Sequence, residues 1–437
     1  MSLYSAFYSG LSGLSTNSSA LNVIGNNLSN INTVGFKGSS MSFRDIFSAS
    51  LGGVSTQGNG NPIQFGLGTQ TNAVNQDFSQ SSFQTTGNAL DMAIQGNGFF
   101  TLKTSDGRQV YSRAGNFTRD NAGYLVATDG SNVLGWNKNS GGVVDTSTAP
   151  VPIRIDTGVT APANPTGLIK MGVNLDASAA VGAVLLTPIQ VYDSQGNIQT
   201  LNVTYTKLAV NAAATPPVLA NSWSYSVAGP TGSNINGAGL NTPVSGTVVF
   251  TTTGALSTGN GVTVATTATN PPLSITWGNG STPSQAITIG LVNADGTSNI
   301  TQYAAASGTN SSYQDGYGAG SLRDLTVDQN GMLSGTFTNG QVVALSQVAM
   351  SSFSNMNGLV QVGNNHWGQS LASGSPTIGL AGQGGRGTVL GANLELSNVD
   401  VAGEFTKLIL SQRGYEANSK IVTTTDQLMQ VTLNLKQ

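Results

Sequence analysis

The chain has 437 residues, enough for two or three domains that each bury a core, and it carries a net charge of −3 with no cysteine. Charged residues make up 8% of it, against roughly 25% in an average globular protein, and 57 glycines with abundant Thr, Ser and Asn take their place. So weak a field argues against nucleic acid and against an anionic membrane surface, and the missing cysteine excludes disulfides, thiolate metal sites and a cysteine nucleophile. No run of about 18 apolar residues occurs and the start lacks the basic stretch of a cleavable signal. The chain is therefore expected in the cytoplasm or on another export route, without membrane insertion.

The first predicted element is an α-helix from about Ser2 to Asn27. Phe7, Leu14, Leu21 and Leu28 recur every seven residues, with Leu3, Leu11 and Ile24 on neighbouring turns. No charged residue precedes Lys37. Gly10 and Gly13 each cost about 1 kcal/mol relative to Ala, so this helix needs a partner. From residue 72 the pattern changes to short alternating runs with Asp-Gly and Asn-containing turns, clearest over 96–130, which reads as antiparallel β. Residues 147–300 are richer still in Thr, Ala, Val and Gly and read as an inserted β domain, while 301–391 return to hairpin patterning and complete the first β domain. A second helix is expected from Val399 to about Leu435, capped by Ser397 or Asn398. Val401, Leu408, Tyr415, Val422 and Met429 stand seven apart, and Phe405 and Leu433 widen the stripe.

The expected fold is thus mainly β with terminal α-helices. The N- and C-terminal helices pair as a coiled coil, and the body consists of antiparallel β domains, one inserted in the other. The division runs 1–71, 72–146, 147–300, 301–391 and 392–437, the first and last parts forming one helical domain. Because a lone surface helix normally carries charge on its outer face, the charge-free first helix points to packing against other copies. Leu3, Phe7, Leu14, Leu21, Ile24, Leu28, Val401, Phe405, Leu408, Tyr415, Val422, Met429 and Leu433 are the candidate self-assembly seam.

Catalytic patterns are weak. Gly382 to Gly387 spells G-x-G-x-x-G, but turn-like sequence surrounds it where a dinucleotide site needs a strand before and a helix after. His366, the only histidine, is expected in a polar loop beside Trp367, and a single histidine precludes a histidine metal cluster. Asp106, Asp120, Asp129 and Asp193 each neighbour Gly or Asn, where turn chemistry accounts for them. No catalytic residue, metal or cofactor is expected.

Asn22 to Lys37, NVIGNNLSNINTVGFK, resembles the N-terminal signature of the flagellar rod and hook axial proteins, with Asn26, Asn27, Asn30, Thr33, Gly35, Phe36 and Lys37 in the expected places and Ser29 where Ala is more usual. Residues 87–100, GNALDMAIQGNGFF, and 394–435 are similar to the same family in the same order. The large middle region and VYDSQGN at 191–197 favour the hook branch over a distal rod-type protein. The resemblance implies a structural subunit that polymerises into a flexible tube, transmits torque as a universal joint and lines an export channel. It implies self-association as a helical homopolymer, with the distal rod protein, the hook–filament junction protein, the hook cap and the flagellar type III export apparatus as partners. The location it implies is extracellular, in the flagellar hook and basal body, reached without a cleaved signal. A secreted β-rich adhesin or glycan-binding module is the alternative from another class; it would explain the middle and not the heptads.

Overall fold

The computed structural model describes residues 3–46, 48–50, 64–139, 142–156, 158, 160–210, 221–257, 272–281, 284–293 and 297–434. Helix α1 spans Leu3–Ser29 and helix α2 spans Val401–Asn434. In α1 the polar side chains fold back on their own helix. Asn17 Nδ2 donates to Gly13 O at 2.7 Å, Ser19 Oγ to Ser15 O at 3.0 Å and Ser29 Oγ to Gly25 O at 2.8 Å. Such bonds satisfy hydroxyls and amides without water, which is how a helix lacking charge can be embedded among others. Helix α2 does the same through Thr406, Asn418, Thr424, Thr425 and Thr432. Its cap is Asp400 and not Ser397 or Asn398: Asp400 accepts from the backbone of Ala402 at 3.2 Å and of Gly403 at 3.0 Å. Asn398 is engaged elsewhere, as described below.

The two helices run antiparallel and meet through small residues. Gly10 faces Ile421 and Val422, Gly13 faces Asn418, Asn17 faces Gly414 and Asn27 bonds to Glu404, so each step along α1 is matched by a step back along α2. A Cβ at Gly13 would lie 2.6 Å from Asn418 Cγ, and one at Gly414 would lie 2.9 Å from Asn17 Oδ1. Interaxial distance is set by the side chains at the contact, so the glycines set this close approach.

Two compact units emerge: residues 1–157, 324–336 and 342–437, and residues 158–323 with 337–341. In the first unit an antiparallel sheet runs in the order Val342–Val348, Asn132–Asn137, Phe99–Lys103, Gln109–Ser112, His366–Gly368, Val360–Gly363. An aromatic cluster of Phe99, Tyr111 and Trp367 with Phe78 and Phe353 lies on it. A two-stranded ribbon, Ser39–Asp45 with Thr69–Gln76, is tied to α1, where Thr69 N donates to Ser12 Oγ at 3.1 Å and the Thr16 and Thr69 hydroxyls are 3.1 Å apart.

In the second unit the strands Val184–Tyr192, Ile198–Lys207, Ser222–Ala228 and Val244–Val249 form one antiparallel sheet. The other is built around Leu168–Asn174, which pairs parallel with Gln285–Gly290 and Ile300–Thr301 and antiparallel with Gly308–Gln314. Leu201, Val203 and Tyr205 alternate inward along one strand, while Thr200, Asn202, Thr204 and Thr206 alternate with them. Residues 147–156, placed by composition with the middle region, belong to the first unit, where Val151–Pro152 pairs with Asn132–Asn137. Residues 301–323 belong to the second.

Gly13→Leu should force the helices apart. Overpacking of this kind costs about 1–3 kcal/mol, and it should lower helical circular dichroism while the β signal persists; unchanged helical melting would show that the close approach is not needed.

Candidate functional site

The signature turn joins α1 to the ribbon, and its residues form a polar junction with the chain just ahead of α2. Asn26, Asn27 and Asn30 end α1: Asn30 Nδ2 donates to Asn26 O at 2.9 Å, and Thr33 Oγ1 donates to Asn30 Oδ1 at 3.1 Å. Gly35 has φ +66°, and a Cβ there would lie 2.6 Å from Ala114 N, so only glycine fits against the sheet. Its N–H donates to Glu395 O at 2.8 Å. Phe36 is buried, and Lys37 is fully buried.

Lys37 Nζ donates to Glu395 Oε1 at 2.8 Å and to Ser79 O at 2.6 Å. The other carboxylate oxygen lies 3.5 Å from Arg113 Nη1, while Arg113 Nη2 donates to Gly96 O at 2.9 Å and the guanidinium stands over the Phe99 ring. Burial pulls Lys37 below its ordinary pKa against the opposing pull of Glu395, and burial acts on Arg113 in the same direction. One carboxylate therefore serves two buried cations.

Two further clasps flank this node. Asn27 pairs both ways with the Ser39 backbone, at 2.8 and 2.9 Å, and its Nδ2 also reaches Glu404 Oε2 at 3.1 Å. Glu404 accepts in turn from Lys407 at 2.7 Å. Asn398 accepts from Gly38 N at 2.8 Å and donates to Asp77 O at 2.8 Å. Asn27, Lys37 and Phe36 come from the predicted turn, and Asn398 was expected only as a helix cap; Glu395 and Arg113 were not singled out from the sequence.

Of the predicted seam, only Ile24 is buried. Phe7, Leu14, Leu21, Leu28, Leu408, Val422 and Met429 are half-buried, and Val401, Phe405, Tyr415 and Leu433 are exposed. The side chain of Leu3 lies outside the described residues. Within the chain, the contact row on α1 is instead Gly10, Gly13, Thr16, Ala20, Ile24 and Asn27, all buried. The opposite face, at Tyr4, Tyr8, Leu11, Ser15, Ser18, Asn22, Asn26 and Ser29, is exposed, repeats at heptad spacing and bears no charge.

Other sequence signals resolve as follows. His366 lies in a strand and is buried, with Nδ1 3.4 Å from Asp129 Oδ2, beside a cleft of about 780 Å³ that Asn30, Thr33 and Asn116 also line. Asp129 also accepts from Ser131 N at 3.1 Å, Asp120 from Tyr124 N at 2.7 Å, and Asp193 from Gln195 N and Asn197 N at 2.9 Å. These are turn carboxylates. Asp106 accepts from the side chains of Thr104 and Arg108. Gly382 to Gly387 connects the strands Thr377–Gly379 and Thr388–Gly391, closed by Gly382 N donating to Gly387 O at 2.8 Å, and no helix follows. Among the described residues no group of three or more His, Cys, Asp or Glu is placed to hold a metal ion.

Four family models match: the flagella basal body rod protein over residues 7–37, the flagellar hook protein FlgE/F/G D1 domain over 93–171, the flagellar basal body protein FlaE D2 domain over 185–317, and the flagellar basal body rod FlgEFG protein C-terminal over 391–435. The flagellar hook protein FlgE of Borreliella burgdorferi is 33% identical over 99% of this chain and 99% of its own. The chain belongs to the flagellar hook protein family. The Salmonella typhimurium hook protein is 30% identical over 99% of this chain and 100% of its own, and that of Rhizobium meliloti 31% over 100% of both. A crystal structure of the Helicobacter pylori hook protein FlgE2 matches with a TM-score of 0.49 at 16% identity, covering 71% of this chain and 100% of that one. As a hook family member the chain is a structural flagellar subunit, and the FlaE D2 match falls on the middle region that separated hook from rod in the sequence.

Glu395→Ala would leave Lys37 and Arg113 buried without their counter-charge, a loss of about 3–5 kcal/mol by denaturant unfolding. Arg413→Ala, which breaks an exposed pair with Glu416, should cost under about 1 kcal/mol; equal losses would remove the node from this role. Burial holds His366 below its ordinary 6.5, with Asp129 opposing. The unfolded chain then takes up its proton first, so the stability this imidazole contributes is present above about pH 6.5 and is lost below it. The stability difference between wild type and His366→Gln should move against wild type between about pH 7.5 and 5, and a pH-independent difference would contradict the shift.

Proposed function

We propose that the terminal helices polymerise this chain into a tube that works as a flexible joint, transmits motor torque to the filament and lines an export channel. The observation that carries the reading is the outer face of α1. Tyr4, Tyr8 and Leu11 stand exposed on a helix with no charged residue, and Ile409, Leu410, Leu428 and Val431 stand exposed on its partner. Each large apolar side chain buried by a neighbouring copy contributes about 1.5–3 kcal/mol before the cost of ordering it. Such a face is unfavourable on a monomer and favourable in a polymer.

The parts that build the tube are residues 1–71 with 392–437, the β regions 72–156 and 324–391 accompany them, and the inserted domain lies within the middle region, 158–323. The seam between copies comprises Leu3, Phe7, Leu14, Leu21, Leu28, Val401, Phe405, Leu408, Tyr415, Val422, Met429 and Leu433, most of which the intrachain pairing leaves accessible, whereas Ile24, expected with them, is taken up by that pairing. The partners are other copies of the chain, the distal rod protein, the hook–filament junction protein, the hook cap and the type III export apparatus, with export occurring without a cleaved signal. In this reading the protein acts by assembly and carries no catalytic site.

Electron microscopy of the full-length chain under polymerising conditions should show tubes. Tyr8→Asp with Leu410→Asp should abolish them while the β circular dichroism and melting of the body stay unchanged. Tubes of normal yield from that double variant, or from a chain lacking residues 1–37 and 398–437, would refute the assignment of the helices as the assembly device.

A further inference from the structure

The helix pair and the sheet of the first unit are joined by three chain crossings: residues 27–39, 77–81 and 395–404. Short flexible connections would leave the pair free to swing. Instead, each crossing is bonded to the others by side chains that reach backbone groups. Asn27 grips Ser39 N and O and touches Glu404. Asn398 bridges Gly38 N and Asp77 O. Ser81 Oγ donates to Ser397 O at 2.8 Å while Ser81 N donates to Glu395 Oε1 at 3.1 Å, and that carboxylate carries Lys37.

We propose that these bonds form a collar in which Asn27, Asn398 and Glu404 are positioning residues: they hold the helix pair in one orientation on the sheet and so carry twisting load between the two. The proposal rests on the tube reading for its purpose but not for its geometry. Two features support it. Side-chain-to-backbone bonds fix direction as well as distance, since a carboxamide that donates and accepts on one partner cannot rotate freely. Glu404 sits in the first turn of α2, so its bond to Asn27 at the end of α1 locks the mutual rotation of the helices at the end nearest the sheet.

The cysteine-free chain takes spin labels at chosen positions. Labels at Lys420→Cys on α2 and Arg119→Cys on the sheet report the orientation as a distance distribution, measured on the full chain alone and diluted into unlabelled tubes. Asn27→Ala with Asn398→Ala and Glu404→Gln should at least double its width, while the melting of the sheet and helical content remain; Asn398→Asp, which keeps the acceptor for Gly38 N, should restore part of the order. A distribution as narrow as that of the parent, or one already broad in the parent both alone and in tubes, overturns the collar. Failure of the parent to form tubes refutes the assembly reading instead, and the distribution in the isolated chain still decides the collar.

Discussion

One buried carboxylate joins the two ends of this chain. Glu395 stands just ahead of the C-terminal helix and accepts from Lys37, just after the N-terminal helix, and from Arg113 in the sheet. Buried ion pairs of this kind contribute little net stability, because removing both charges from water offsets most of their attraction. Their force is conditional. Lys37 and Arg113 without Glu395 are two like charges in a dry site, so the arrangement is stable only when the last segment of the chain has joined the first. Closure of the sheet, docking of the signature turn and pairing of the helices thereby become one event.

The helix pair then divides its surface between two tasks. Small residues carry the intrachain contact, where Gly10, Gly13 and Gly414 allow the axes to approach and Asn17 and Asn418 bond their own helices. Large apolar residues are left on the flanks and the far side. Had Phe7, Leu14 and Leu21 packed inward, the monomer would be more stable and the outer faces would have little left to bury. Keeping the internal seam thin leaves the apolar side chains open to the proposed contacts between copies.

The helices themselves were legible because a seven-residue spacing of apolar side chains survives any tertiary context, and α1 ends within two residues of its expected limit. Which face meets the partner was not. Periodicity weighs the largest side chains, whereas close helix contact is made by the smallest, and Gly or Ala leaves no mark in an apolar pattern. Lys37 lay within a recognisable signature, but its counter-ion is hundreds of residues away and nothing local marks Glu395. A usable signal did exist: in a chain with so few charges, the first one, set beside Phe36, calls for a partner. The cap of α2 was misplaced by the same limitation, since Asn398 is a good capping residue by type and its amide is engaged by Gly38 and Asp77.

Scarcity of charge has a further consequence for how the chain meets its copies. Among the described residues seven Asp, Glu, Lys and Arg side chains, Lys37, Asp91, Arg113, Asp193, Lys207, Glu395 and Glu404, are buried and bound internally, which leaves the surface even poorer in charge than the composition states. Ion pairs across a contact favour one register, because moving either partner strands a charge. Hydroxyls and amides can exchange partners through water at low cost. A subunit whose charges fix its interior while its surface is rich in Thr, Ser and Asn joins firmly held cores to contacts that can shift, as the proposed flexible tube requires.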